Sequence, residues 1–451
     1  MPLGEYKMYK RRWCGTIAMF VLEVVASMTW PWFGPISSTA VEEFGFTLDE
    51  VNWLGNIISC AYLIVGFLTP YLVRRVGVRY TCYLASLCLL ISGWIRYAGT
   101  AKGLSKNGAY ALIILGQFFS GMSQPVYQIL APKYSELWFD LNSRTTATML
   151  VSIANPIGGA IGQILSPTFS TVRQSILVLA IISTAVIPVV ILVPERPPTP
   201  PTYAGSKPSP PISTLLFAML GREPETSDAY MTRRERLDFG LLLFIFSVLL
   251  SAINTLSVLT NQWLTPYGYS DNTAGLMGAA LLIAGIIAAL VTAPLFDRVF
   301  THHLSLTIRV LCPTIGVAWF SLIWAVRSNN APALYVLFAL IGGCSIALLP
   351  MALELAVELT RNADGSSAAL WWSGNLFCII FITSQGALRA PLSANPPQNM
   401  HRAIIFNGVW CLVSSVFIFA LQGHQVRRQK DEQMMRRETE GGGGEKDCHG
   451  A

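Results

Sequence analysis

Long apolar runs, separated by short polar segments, make up most of the chain. Each run is about 20 residues long, which is the length that an α-helix needs to cross the hydrocarbon core of a bilayer. The runs are apolar on all sides, as expected of helices surrounded by lipid or by other helices. We therefore predict twelve membrane-spanning helices. They cover residues 14–40, 52–73, 80–99, 109–131, 144–166, 174–194, 238–264, 273–296, 304–326, 331–356, 366–388 and 402–422.

A polar, proline-rich segment divides these runs into two groups of six. Its PERPPTPP and SKPSPP strings cannot form a continuous helix, because proline lacks the amide proton that a helix needs. At an offset of 223 residues, segment 53–75 overlays segment 276–298, which is consistent with a duplicated unit. The predicted organisation is an N-terminus at 1–13, an N-terminal six-helix bundle at 14–194, a linker at 195–237, a C-terminal six-helix bundle at 238–422 and a tail at 423–451.

Composition and charge support a membrane protein. Charged residues make up 12% of the chain, against about 25% in soluble proteins, and the chain is too apolar to be disordered. If the N-terminus is cytosolic, the cytosolic segments hold 24 of the 31 Lys and Arg residues. This asymmetry predicts cytosolic termini and a cytosolic linker. We take the plasma membrane as the default location, with an internal membrane as the alternative, and the net charge of +6 does not indicate nucleic-acid binding.

The motifs of soluble enzymes and ATPases are missing. The sequence contains no P-loop, no HExxH and no GxSxG, and its nine cysteines fall mostly in apolar runs. We therefore predict no enzymatic activity, no cofactor and no metal. Any translocation would run down a gradient or be coupled to one.

Polar and aromatic residues inside the spans are the candidates for solute binding, because a polar group in a membrane span usually faces protein or a water-filled cavity. Aromatic faces attract ammonium groups, and neutral amides orient hydroxyl or carbonyl groups. The alternative roles are interfacial anchors for the tryptophans and helix–helix contacts for the amides. The candidates are Trp30, in the broken WPWFGP segment, with Gln124, Tyr127, Asn254, Asn261, Trp372 and Asn375.

Charged residues near the span ends suggest a gate. Salt bridges between the halves would close the cytosolic face, whereas simple solvation at the interface is the alternative. The gate candidates are Arg74, Arg75, Asp297, Arg298, Glu354 and Glu358. Glu23 lies well inside the first span, where it would either carry a coupling proton or hold neighbouring helices together.

Several strings resemble known families. The segment from Pro70 to Arg79 resembles the G-x-x-x-D-R-x-G-R-R signature of the major facilitator superfamily, with Arg74 in place of the acid. More specific strings resemble solute carrier family 49, the feline leukaemia virus subgroup C receptor-related transporters, and its poorly characterised major-facilitator-domain-containing branch in particular. These strings are VNWL (51–54), GQFFSGMSQP (116–125), ANPIG (154–158), GYSDNTAGLMGA (268–279) and LPMALELAVELT (349–360).

This resemblance implies a substrate class. Family members are implied to carry choline or ethanolamine, haem has been proposed, and one branch is linked to a vitamin B6 compound. Trp30 and Gln124 match the family's cavity tryptophan and glutamine. Asn254 stands where choline-carrying members have a tyrosine, and Asn375 stands where they have a glutamine. No His or Tyr pair deep in the spans suggests haem ligation.

These observations together predict an all-α membrane protein of twelve helices in two pseudo-symmetric bundles. It would be a monomeric secondary transporter of a small organic solute, with its site between the halves and lipid around it. The alternative is a receptor or sensor that keeps the fold but binds the solute without moving it.

Overall fold

The computed structural model describes most of the predicted membrane region. The described residues are 7–140, 143–199, 201, 211–227, 229–298 and 304–422. Within these ranges the regular structure is helical and contains no strand, which confirms the predicted fold class. Within the described ranges, nine helices are long and apolar enough to cross a membrane. The longest, Leu48–Ala98, is long enough to cross twice, which gives ten passes. The helix Lys106–Trp138 and the broken first span are not among the nine, and one pass by each makes the structure compatible with twelve.

The first half of the chain forms seven helices. The apolar runs that predict spans lie in these helices. The first and fifth runs are each divided between two helices, and the second and third runs share one helix. The helices are α1 (Arg11–Ser27), α2 (Ser37–Phe44), α3 (Leu48–Ala98), α4 (Lys106–Trp138), α5 (Arg144–Ser152), α6 (Ala154–Leu165) and α7 (Val172–Val186).

The linker and the second half of the chain form seven further helices. A short linker helix precedes six helices that match the six remaining apolar runs. These helices are α8 (Ile212–Met219), α9 (Arg233–Leu264), α10 (Asp271–Arg298), α11 (Leu304–Ala325), α12 (Ala331–Thr360), α13 (Ala363–Ala387) and α14 (His401–Val416).

Helix directions define two faces of the molecule. α1 and α9 begin on one face, which we call the linker face, and Arg234 on this face donates to the carbonyl of Ala420 near the end of the last span. The opposite face, which we call the loop face, carries the start of α3 at Leu48 and the end of α9 at Leu264.

A glycine bend turns α3 back on itself and makes two passes of one long helix. Gly77 has a φ of 87°, a conformation that L-residues with a side chain rarely adopt. Glu195, at the start of the linker, accepts hydrogen bonds from the backbone amides of Val78 (3.0 Å) and Arg79 (2.8 Å). A Cβ on Gly77 would overlap this carboxylate. The bend therefore needs glycine, and an acidic cap satisfies the amides that open the second pass.

The first span is interrupted where WPWFGP predicts a break. α1 ends at Ser27 and α2 begins at Ser37, because Pro31 and Pro35 cannot donate backbone hydrogen bonds. Gly34 lies within the break, and a Cβ on this residue would overlap the carbonyl oxygen of Ser257 in α9. The broken segment therefore approaches the second half closely.

Small residues allow the halves to pack tightly across α6. Gly158 and Gly162 face the backbone at the end of α1. A Cβ on Gly158 would overlap the carbonyl oxygen of Val24, and a Cβ on Gly162 would come too close to that of Met28. On the other side of α6, Gly278 of α10 faces the side chain of Gln163. α3 and α13 form the second large contact between the halves. These two contacts set the spacing around the space at the centre of the molecule.

Candidate functional site

A polar cavity lies between the two halves, about midway between the faces. Its space is about 410 Å³ when the solvent at its mouth is included. Both halves contribute to its wall. Its aromatic and amide lining residues are Trp30, Tyr62, Gln124, Gln128, Asn155, Asn254, Trp371 and Asn375.

Four of the predicted binding residues meet in this central cavity: Trp30, Gln124, Asn254 and Asn375. They come from the broken first span, α4, α9 and α13, so that only the packing of the halves brings them together. Trp30 is 8% exposed, and Gly159 of α6 lies against its ring. Asn375 donates from Nδ2 to the carbonyl of Trp371 at 2.9 Å, which fixes its orientation.

The two adjacent tryptophans of α13 face different parts of the molecule. Trp371 lines the central cavity and packs edge-on against Phe246, with ring centroids 5.6 Å apart. Trp372, the residue predicted from the sequence, turns toward α3 instead. Its Nε1 donates to the carbonyl of Leu63 at 3.1 Å, and its ring lies 5.2 Å from that of Phe67. The structure thus places Trp371 at the cavity and Trp372 in the contact between the halves.

Two further predicted residues lie away from the central cavity. The hydroxyl of Tyr127 is 2.8 Å from that of Ser86, in the core of the first half. Asn261 donates to the carbonyl of Pro35 at 3.1 Å and to Asp271 at 2.5 Å, near the loop face. Both are buried side chains that join helices, which is the alternative role considered for polar residues in spans.

Besides Trp371, three aromatic or amide lining residues were not among the binding candidates. Tyr62, Gln128 and Asn155 line the central cavity, and their polar or aromatic character inside apolar runs was the available signal. The Tyr62 hydroxyl, the Gln128 Oε1 and the Trp371 Nε1 are buried without a hydrogen-bond partner among the described residues. Buried polar atoms are normally paired. These three atoms are therefore available to a polar solute or to water.

Glu23 lies directly behind the cavity wall. Its Oε1 accepts hydrogen bonds from Ser27 (2.9 Å) and from Nδ2 of Asn155 (3.3 Å), while Asn155 also lines the cavity. The Glu23 side chain is completely buried, and none of the described basic residues forms an ion pair with it. Among the described residues that line the cavity, none carries an ionisable carboxylate, amine, guanidinium or imidazole group. Glu23 is linked to the cavity through the Asn155 amide.

Polar contacts join the halves on the loop face. The Ser38 hydroxyl donates to Oδ2 of Asp271 at 2.7 Å. Nearby, Arg389 donates to Asp49 at 3.2 Å and to Gln262 at 2.8 Å. These residues come from segments far apart in the sequence, and their polarity alone did not distinguish them from loop residues. The loop face is therefore held together between the halves in this structure.

The predicted gate residues lie at the linker face. Arg74 and Arg75 are exposed at the end of the first pass of α3, whereas Glu354 is half-buried and Glu358 is buried near the end of α12. The side chains of Asp297 and Arg298 lie outside the described residues. A salt-bridged gate between these groups stays a prediction.

Comparison with known proteins identifies the architecture. The family model described as Major Facilitator Superfamily matches residues 19–383. The crystal structure of the nucleoside transporter NupG superposes with a TM-score of 0.62 at 14% identity, over 92% of this chain and 99% of that one. At this identity the likeness extends to the fold alone.

Curated relatives confirm the resemblance to solute carrier family 49. Solute carrier family 49 member A3 of Xenopus tropicalis is 27% identical over 87% of this chain and 81% of its own length. The choline/ethanolamine transporter FLVCR2 of Homo sapiens is 22% identical over 86% of this chain and 73% of its own. The likeness covers both halves and the linker.

Proposed function

This chain belongs to the Major Facilitator Superfamily and is a multi-pass secondary transporter of a small solute; we propose that the solute is an organic cation of the choline and ethanolamine class. The single observation that carries this proposal is the central cavity, which combines aromatic faces with neutral amides. Aromatic rings attract ammonium groups through their quadrupole, and the amides provide donors and acceptors for a hydroxyl.

The acid behind the wall favours a cation further. Glu23 is linked to the cavity through Asn155, and an ionised carboxylate in a low-dielectric interior would attract a positive charge strongly. The sequence relatives support the same chemistry, since FLVCR2 is named a choline/ethanolamine transporter. Asn254 and Asn375 replace a tyrosine and a glutamine of choline-carrying members, so we expect a weaker aromatic enclosure and more amide contacts.

Haem is the weaker candidate. The central cavity offers Tyr62 and Cys378 as possible axial ligands of haem iron. Among its described lining residues, however, no basic side chain could pair with the two carboxylates of haem.

We infer alternating access as the mechanism. The halves rock about the central cavity, so the contacts that close one face must break when that face opens. In this structure the closing contacts on the loop face are Ser38–Asp271 and Arg389–Asp49. In the other state, Arg74, Arg75, Asp297, Arg298, Glu354 and Glu358 would close the linker face. The positive charge of the linker face orients it toward the cytosol, and we propose the plasma membrane as the location.

Glu23 is the proposed coupling group. Its side chain is completely buried, and none of the described basic residues forms an ion pair with it. We propose that it holds a proton when no cation is bound. A cation in the central cavity would favour the ionised form. Binding of the solute would thereby release a proton from Glu23.

Uptake into proteoliposomes tests the proposal. Labelled choline and ethanolamine would be supplied to wild-type protein, to Trp30→Ala and to Trp324→Ala. Trp324 is 64% exposed on α11, so it controls for the loss of a tryptophan at the lipid-facing surface. We expect saturable uptake by wild type and by Trp324→Ala, and loss of uptake in Trp30→Ala. Binding without net flux would favour a sensor, and no binding to folded protein would exclude these amines.

A further inference from the structure

A second cavity adjoins the central one and lies mostly in the C-terminal half. The two share part of their walls, namely Trp30, Asn155, Asn254 and Trp371. The space of the second cavity, which we call the apolar arm, is about 840 Å³ when the solvent at its mouth is included. Trp30 therefore borders both spaces.

Apolar side chains form most of the wall of the apolar arm. They come from α9, α11 and α12 of the second half. Representative members are Leu242, Ile245, Leu249, Ile308, Leu349 and Ala352. A wall of this kind excludes charged groups and favours alkyl or aryl groups, because burial of apolar surface is favourable and burial of an unpaired charge is not.

Polar groups gather at one end of the apolar arm. Asn254 lies about two-thirds of the way along α9, whereas Leu242 lies twelve residues nearer to its start at the linker face. At the helical rise this separation is roughly 18 Å. Ser345 lies at the middle of its helix, α12, and its hydroxyl is buried without a partner among the described residues. The two spaces together thus have a polar end at the centre and an apolar end toward the linker face.

Most of the described residues that line the apolar arm belong to the second half. Ile308 and Cys312 contribute to its wall from α11, a helix that packs against α12 and α14 of its own half. Of the first half, the residues in the wall are Trp30, Asn155 and Pro156. The shape of the apolar arm is therefore set mainly by the second half.

We propose that the transported cation is an amphiphile, with an ammonium headgroup at Trp30 and Asn254 and an alkyl substituent in the apolar arm. This inference rests on the proposed cation transport. It narrows the substrate class to amino alcohols that carry an N-alkyl group longer than methyl. The junction residues Trp30 and Trp371 contact the solute where its charge meets its apolar part. An alkyl chain there gains burial with no polar group to desolvate.

A chain-length series tests this inference. The protein is reconstituted in nanodiscs, and choline, N-butyl-N,N-dimethylethanolammonium and the N-octyl analogue compete against labelled choline. Binding is referred to the aqueous ligand concentration, after partition into protein-free nanodiscs has been measured. We expect affinity to rise about three- to fourfold for each added methylene up to the butyl compound, the change that corresponds to about 0.8 kcal/mol per buried CH₂.

Three variants locate the alkyl chain. Ala352→Phe fills the apolar arm, and we expect it to abolish the gain with chain length while choline binding persists. Val336→Phe on the same helix is the matched control, because Val336 is 67% exposed and far from the arm. Ile308→Ala removes part of the far wall, and it should shift the preferred chain length upward even if Ala352→Phe fails to fold.

The outcomes separate the two proposals. Equal or weaker binding of the alkylated compounds, with choline still bound, would overturn the amphiphile and leave cation transport intact. A gain with chain length that neither Ala352→Phe nor Ile308→Ala alters would also overturn it, because the chain would then lie elsewhere. If folded wild-type protein binds none of the amines, the proposed transport of an organic cation fails, and the amphiphile proposal that rests on it fails as well.

Discussion

Ser38 of α2 donates a hydrogen bond to Asp271, the first residue of α10, at 2.7 Å, and thereby joins the two halves at the loop face. The same carboxylate accepts a hydrogen bond from Asn261 through its other oxygen. Because rocking of the halves must separate Ser38 from Asp271, this bond stabilises the state seen in the structure against the state that is open at the loop face.

Removing this bond should shift the conformational equilibrium. A hydrogen bond to a charged group contributes about 1.5–3 kcal/mol, so Ser38→Ala should raise the proportion of molecules open at the loop face by about tenfold or more. Spin labels at Lys102 and Arg327, which are exposed on the loop face in different halves, would report the change as a longer interlabel distance. Ser321→Ala removes an exposed hydroxyl within one helix and should leave the distances unchanged. Distances in Ser38→Ala that match wild type would show that the bond does not hold this face closed.

The two adjacent tryptophans of α13 should respond differently to truncation. Trp371→Ala removes an aromatic wall of the central cavity and should weaken amine binding by about tenfold, as expected for a lost cation–π contact of 1–2 kcal/mol. Trp372→Ala removes the hydrogen bond to Leu63 and should lower the thermal unfolding temperature, with a smaller effect on affinity. Equilibrium binding and thermal unfolding of both variants test this prediction. A larger loss of amine affinity in Trp372→Ala than in Trp371→Ala would contradict the placement of Trp371 at the solute.

Substitution of Gly77 at the bend of α3 should lower the stability of the protein. Gly77→Ala places a side chain at a φ of 87° and against Glu195, so we expect a loss of about 1–3 kcal/mol in stability. Gly240→Ala is the matched control, since a Cβ at that helical position meets no atom within 4 Å and alanine is the better helix former. Thermal unfolding in one detergent should show a lower midpoint for Gly77→Ala and an unchanged or higher midpoint for Gly240→Ala.

The coupling proposal predicts a change in the effect of a proton gradient. Glu23→Gln keeps the shape of the side chain and its contact with Asn155 but cannot ionise. We expect the variant to bind the amine with moderately reduced affinity and to lose accumulation driven by a proton gradient, while equilibrium exchange of labelled for unlabelled solute continues. Uptake by Glu23→Gln that still depends on pH as in wild type would remove Glu23 from the coupling mechanism.

The central cavity was only partly predictable. Trp30, Gln124, Asn254 and Asn375 were selected because polar and broken segments stand out in apolar spans, and the structure brings these four together. Trp372 and its neighbour Trp371 cannot be distinguished by composition, because one residue along a helix rotates the side chain by about 100°. Which of the two faces the cavity depends on how α13 is rotated against α3.

The sequence by itself determined the class of protein and the break in the first span, and it predicted twelve passes, with which the described helices are compatible. These follow from local physics, since a bilayer demands apolar helices of fixed length and proline interrupts them wherever it occurs. Tertiary structure alone decided which polar groups line the cavity, which acid lies behind Asn155 and how the apolar arm extends into the second half. Such relationships depend on the rotation and spacing of helices far apart in the sequence, and small residues such as Gly158 and Gly278 set that spacing only once both partners are in place.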